Sequence, residues 1–221
     1  MIGDIISEDI SIASANDSTR GSMKTDDIDA AGIVLKNIYA RRSIRSYLQK
    51  DVPDEILMEL IKAGTYAPTA VNKQPWRFVV IKNRDLIDHY GERAKKLWLE
   101  NNKDPKDEHL IEMVRMMAHE NFKILYDAPA LILIFAHPEA FSPLQDCSLA
   151  AENMMLAGTA LGLGSCWIGL AMPLGSDEQF LKDMGVPENY RLVAPLIFGY
   201  PKKADIKGPD RNTDVILKWV N

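Results

Sequence analysis

A chain of 221 residues, 47% of them hydrophobic, can bury one sizeable core and needs no second domain to do so. Its formal net charge of −5, with 26 basic residues outnumbered by 31 acidic ones and no long basic run, argues against a nucleic-acid surface. Two cysteines are too few for a disulfide framework, and the longest apolar run, 128–136, is too short to cross a bilayer, so the expectation is a cytoplasmic protein without membrane or nucleic-acid partners.

Residues 1–24 are rich in Ser, Asp, Asn and Thr, and their isoleucines never settle into a helical stripe, which predicts a mobile tail ahead of a single domain over 25–221. Helical spacing begins with Ile28, Ala31, Leu35 and Ile38, and a cluster of three arginines follows at the C-terminal end of that helix. A second helix opens at Pro53, with Asp54 and Glu55 complementing its dipole and Ile56, Leu57, Leu60 and Ile61 forming a buried face. Tyr66 to Pro68 close it. Residues 76–81 read as a buried strand, followed by charged helices over 85–102 and 106–125. Met113, Met116 and Met117 on the latter read as core.

Residues 130–136 are apolar throughout, as a strand covered on both faces requires. A long helix over 144–161 is rich in Ala, Met and Gly and belongs in the middle of the fold, where small residues permit close approach. Gly162-Leu163-Gly164 ends it, and 165–168 form a short strand. Ser176 and Gln179 match a capping box, predicting a helix that stops at Gly185. The last strand, 191–199, leads into a basic, proline-containing tail.

Several chemistries lack their residues. A dinucleotide fingerprint would need a third glycine at position 167, where Trp167 stands, and no lysine follows a glycine run as in a P-loop. Ser165 has no glycine two positions before it to build a nucleophile elbow. The four histidines have neither helical pairing nor cysteine companions, so no metal site is expected. Cys166, in an apolar strand, reads as a small core residue.

Two segments carry more information. Arg41-Arg42-Ser43-Ile44-Arg45 packs three guanidinium groups and a hydroxyl into five residues, a set suited to holding a phosphate through charge-assisted hydrogen bonds. The loop from Ala67 to Trp76 carries the side-chain amides of Asn72 and Gln74, which donate and accept at once and suit the edge of a heterocycle. Taken singly, the first also fits a solvated helix end and the second a plain turn. Together they suggest a phosphorylated, ring-bearing cofactor.

With Gly162-Leu163-Gly164-Ser165-Cys166-Trp167-Ile168-Gly169 and with Phe198-Gly199-Tyr200-Pro201 followed by Lys207 and Arg211, these segments resemble the FMN-dependent nitroreductase family, from about Ile28 to Trp219. The resemblance implies an α+β fold in three layers, a mostly antiparallel central sheet flanked by helices, built as a homodimer with two FMN sites between subunits. It implies that Arg41, Arg42, Ser43 and Arg45 hold the phosphate and ribityl chain of FMN, with Lys207 and Arg211 as further phosphate ligands. Pro68, Thr69, Asn72 and Gln74 would reach the flavin of the partner subunit. The backbone at Trp167, Ile168 and Gly169 would face flavin N5, and the missing side chain of Gly169 permits that approach. The implied reaction is ping-pong, with NAD(P)H as reductant and a nitroaromatic, quinone or enone as oxidant. The flavin does the chemistry, so no catalytic acid or base is assigned. A flavin reductase, a flavin-fragmenting enzyme or a non-catalytic FMN sensor would use the same clamp. Val71 and Lys73 depart from the small or polar residues that the resemblance leads one to expect in the amide loop.

Overall fold

The computed structural model describes residues 30–203 and 206–220, without the side chains of residues 30 and 31. The tail expected over 1–24 lies outside the described residues, as does Ile28. Among the described residues no helix is long and apolar enough to cross a membrane.

Helix α1 spans Ala30–Ala40 and α2 spans Asp54–Thr65, with Pro53 at the N-cap as expected. A 3-10 turn at Ala70–Asn72 precedes strand β1, Trp76–Ile81. Helix α3 follows at Arg84–Asn101, with the Asn83 side chain accepting from Leu86 N. Helix α4 is Glu108–Ala118, capped by Asp107, and is shorter than the sequence spacing predicts. Just past its end a buried cation meets the chain in place of further helix: Lys95 Nζ donates to the C-cap carbonyl His119 O and to Phe122 O, each at 3.0 Å. The chain then turns, with Tyr126 and Asp127 both at φ 53. Of the three methionines expected in the core, only Met117 is there. Met116 is exposed, and Met113 faces a cleft.

Strand β2 is Ala130–Ala136, α5 is Pro143–Ala160, β3 is Gly164–Trp167, α6 is Glu178–Asp183 and β4 is Arg191–Gly199. A 3-10 segment, Gly169–Ser176, connects β3 to α6. The cap of α6 differs from the expected Ser176. Asp177 takes that place, accepting from Phe180 N at 2.8 Å while its other oxygen pairs with Arg93 Nε at 2.6 Å. Asp can satisfy a helix end and a cation together, which a serine hydroxyl cannot. Gly185, at φ 65, ends the turn as expected.

The four strands form one antiparallel sheet in the order β1-β2-β4-β3. Side chains of β2 alternate between two cores: Leu131, Leu133 and Phe135 pack with α3 and the 3-10 segment, while Ile132 and Ile134 pack with α2 and α5. Every residue of β2 is buried, so the sheet is the middle of three layers. This is the α+β architecture expected of the sequence. The register shifts between Ile134 and Phe135, where β4 carries an extra residue.

The edge of β3 is closed by the arginine segment. Ser43 bridges Ser165, Ile44 N donates to Ser165 O at 2.8 Å, and further along Leu48 N donates to Tyr200 O. The clamp is thereby pinned to the sheet rather than left on a helix end.

Candidate cofactor site

Two buried side chains anchor this edge segment. Ile44 and Tyr47 point inward, 7% and 1% exposed, and the Tyr47 hydroxyl donates to Ile44 O at 2.5 Å. Burial pushes the Tyr47 phenol far above its usual range, so it stays a neutral donor. Contact with β3 is close: a Cβ on Gly164 would lie 2.6 Å from Ile44 Cγ1.

The three arginines have different surroundings. Arg41 Nε pairs with Glu152 Oε1 of α5 at 3.2 Å. Arg42 Nη1 donates to Tyr39 O at 2.6 Å and to Arg41 O at 2.7 Å, closing the end of α1, and its Nε is buried without an acceptor among the described residues. Arg45 has no carboxylate within ion-pairing distance among the described residues, and its Cζ lies 6.0 Å from the centre of the Tyr126 ring. Ser43 is exposed beside it.

Arg45 lies at the wall of a cleft of about 380 Å³. It is also lined by Trp98 of α3, Met113 of α4, Tyr126, and the run Trp167, Ile168, Gly169 and Leu170. A Cβ built on Gly169 meets nothing within 4 Å, so the backbone there borders open space. The N–H groups of Gly169 and Leu170 open a 3-10 turn, where no intrahelical acceptor exists for them. A cation, exposed turn amides and flat aromatic walls suit a phosphate-bearing planar ring, so the residues present fit FMN. Cys166 lies behind this wall, 1% exposed, and burial pushes its thiol up, against weaker opposing effects of Arg45 and Ser43. It is a core residue, as its sequence context indicates. Burial likewise pushes Cys147 up to about 12.

The amide loop stands elsewhere on the chain. Gln74 borders a separate cleft with Lys73, Pro75, Arg77, His137, Glu139 and Ala140, none of which lines the first. Pro68, Asn72 and Gln74 are exposed and Thr69 is half-buried. Gln74 Nε2 donates to Asn72 Oδ1 at 3.0 Å, and Gln74 N donates to Thr69 Oγ1 at 3.2 Å. The C-terminal tail returns to the clamp at one point: a Cβ on Gly208 would sit 2.6 Å from Arg42 Nε. That places Lys207 next to the arginine segment, whereas Arg211 lies further along an exposed stretch.

Sequence reasoning missed Trp98, Met113 and Tyr126, because long-range packing alone brings α3, α4 and the following turn over the cleft. Among the described residues no group of His, Cys, Asp and Glu could hold a metal ion.

The sequence profile of the Nitroreductase family matches residues 38–200. The chain belongs to the nitroreductase family. A relative in Archaeoglobus fulgidus, provisionally named an NADH dehydrogenase/NAD(P)H nitroreductase, is 33% identical over 174 residues, covering 76% of this chain and 85% of its own. An iodotyrosine deiodinase of Thermotoga neapolitana is 31% identical over 182 residues, covering 81% and 93%. In three dimensions, a nitroreductase from Bacteroides fragilis with bound FMN matches at a TM-score of 0.72 and 30% identity, covering 85% of this chain and 98% of that one. The nitroreductase fold thus includes β1 to β4 and the edge segment carrying Arg45.

Proposed function

We propose that this nitroreductase-family chain binds FMN and passes electrons from NAD(P)H to a neutral, planar acceptor such as a nitroaromatic or quinone, as a homodimer with its active sites between subunits. The observation that carries this reading is Arg45, a guanidinium free of carboxylate partners among the described residues, at the wall of an aromatic cleft that the Gly169 turn also lines. Family membership and the FMN bound in the Bacteroides fragilis relative support it. When bound, FMN supplies the two-electron chemistry, accepting from one substrate and delivering to the next in turn.

The chain's own residues bind and orient. Arg45 neutralises the phosphate, with Ser43 donating beside it and Arg41, Arg42 and Lys207 adding positive field; Arg211 joins from the tail. The Gly169 amide donates to the edge of the ring, and Trp167 and Ile168 form the floor beneath it. Trp98, Met113 and Tyr126 exclude water from the cleft. Arg45 is the one charged residue among those lining the cleft, which favours neutral flat acceptors over zwitterions. Pro68, Thr69, Asn72 and Gln74 serve the flavin of the partner subunit, because their loop and the clamp line separate clefts within one chain. A cytoplasmic site, with its supply of reduced nicotinamide, is part of this reading.

The purified protein is expected to be yellow and to release FMN, not FAD, on denaturation. It should oxidise NADH or NADPH when a nitroaromatic or quinone is supplied. Colourless protein that takes up no added FMN refutes the proposal, and bound FMN with no nicotinamide oxidation by any acceptor points to a sensor or carrier instead.

A further inference from the structure

The amide loop is strained, and one buried carboxylate ties its apex to the body of the protein. Val71, Asn72 and Gln74 all have positive φ, at 47°, 55° and 48°, in a stretch without glycine. Left-handed backbone is unfavourable for a non-glycine residue, and a β-branched one such as Val71 is among the least tolerant. Such strain persists only where the surroundings over-determine it. Most of the loop's hydrogen bonds are internal: Asn72 N to Thr69 O, Lys73 N to Ala70 O, Gln74 N to Thr69 Oγ1. These fix its shape but not its place.

Asp146 fixes the place. It lies in the first turn of α5, 3% exposed, and its Oδ1 accepts from Ala70 N at 3.2 Å. Its Oδ2 is buried with no hydrogen-bond partner among the described residues. A helix N-terminus favours a carboxylate, but one with a free choice would reach water; burial with an orphan oxygen is costly. We propose that Asp146 is a positioning residue that holds the strained 69–74 loop so that Asn72 and Gln74 are presented outward in one fixed arrangement. Resting on the function proposed above, Asp146 acts on the partner subunit's flavin through Asn72 and Gln74 and touches no reacting atom.

Two readouts test this on the full-length protein. Hydrogen exchange, with and without added FMN, should show the amides of Ala70, Asn72 and Lys73 exchanging at least about tenfold faster in Asp146→Ala than in wild type, the loss of one charge-assisted bond. Asp146→Asn, which keeps the shape and an acceptor oxygen, should stay close to wild type. FMN titration should show Asp146→Ala binding about tenfold more weakly, and the triple variant with Asn72→Ala and Gln74→Ala no weaker than the Asn72→Ala, Gln74→Ala pair alone, as expected of residues acting in series. Unchanged loop exchange, additive losses in the cycle, or Asp146→Asn failing as badly as Asp146→Ala would each overturn the assignment. Should Asp146→Ala not fold, Asp146→Ser, which keeps a shorter acceptor, takes its place with intermediate exchange expected. Wild-type protein that takes up no FMN would defeat the proposed function alone, and the exchange data would still decide the role of Asp146.

Discussion

Arg41, Arg42 and Arg45 fall within five residues yet face different things. An ion pair between side chains as exposed as Arg41 and Glu152 contributes at most about 1 kcal/mol. Arg42 spends its donors on the carbonyls of Tyr39 and Arg41, as a helix-end cation does. Arg45 has its charge directed at the cleft. Arg45→Ala is therefore expected to weaken FMN binding by about one to two orders of magnitude, since a charged hydrogen bond is worth about 1.5–3 kcal/mol. Turnover at saturating FMN should change far less, because phosphate contacts are the same in ground and transition states. Arg42→Ala should mainly lower stability, by about 1 kcal/mol or less. Fluorescence titration of apoprotein with FMN and thermal melts separate the two; equal affinities for wild type and Arg45→Ala would show that the clamp lies elsewhere.

At the scale of elements, α6 is held by one carboxylate with two tasks. Burial raises the pKa of Asp177, but Arg93 and the Phe180 amide outweigh it and hold the carboxyl below its ordinary value. A carboxylate whose folded pKa is depressed contributes stability above its unfolded pKa, about 3.9, and loses it as pH falls through the lower folded value. Asp177→Asn keeps the capping oxygen and removes the charge. It should melt below wild type by about 2–4 °C from pH 8 to pH 5, an effect near 1 kcal/mol once the exposure of Arg93 is discounted. The gap should close below about pH 4. A gap that persists at pH 2.5, followed by circular dichroism, would mean that packing rather than charge is responsible.

At the scale of the whole molecule, two apolar surfaces are left uncovered among the described residues. Ile33, Val34, Leu35, Ile38 and Tyr39 of α1 are exposed, Leu35 and Ile38 of the helical stripe among them. Val215, Ile216, Leu217, Trp219 and Val220 of the tail are exposed as well. Contiguous apolar surface of this kind is what an intersubunit contact covers. Light scattering is expected to show a dimer whose melting temperature rises with both protein and FMN concentration. Ile38→Glu should shift it toward monomer and weaken FMN binding together. A monomer that holds FMN tightly would contradict the intersubunit site.

Local chemistry was enough for much of this protein. The runs 130–136 and 191–199 coincide with β2 and β4, because a strand buried on both faces has few ways to be written. The run 76–81 coincides with β1 in position but not in burial, since at the edge of the sheet Arg77 and Val80 are exposed and Phe78 and Val79 half-buried. The arginine segment and the amide loop stood out as candidates because phosphate and heterocycle recognition need particular side chains at short spacing, and the Gly169 turn stood out through the family resemblance. What spacing could not supply was the effect of distant partners. Lys95 binds the turn after α4 from another helix, Asp177 displaces Ser176 because Arg93 lies opposite, and the α1 stripe is exposed among the described residues. Tertiary structure alone brings Trp98, Met113 and Tyr126 to the cleft that Arg45 lines and joins Asp146 to the strained loop, since each of those contacts joins residues 20 or more positions apart.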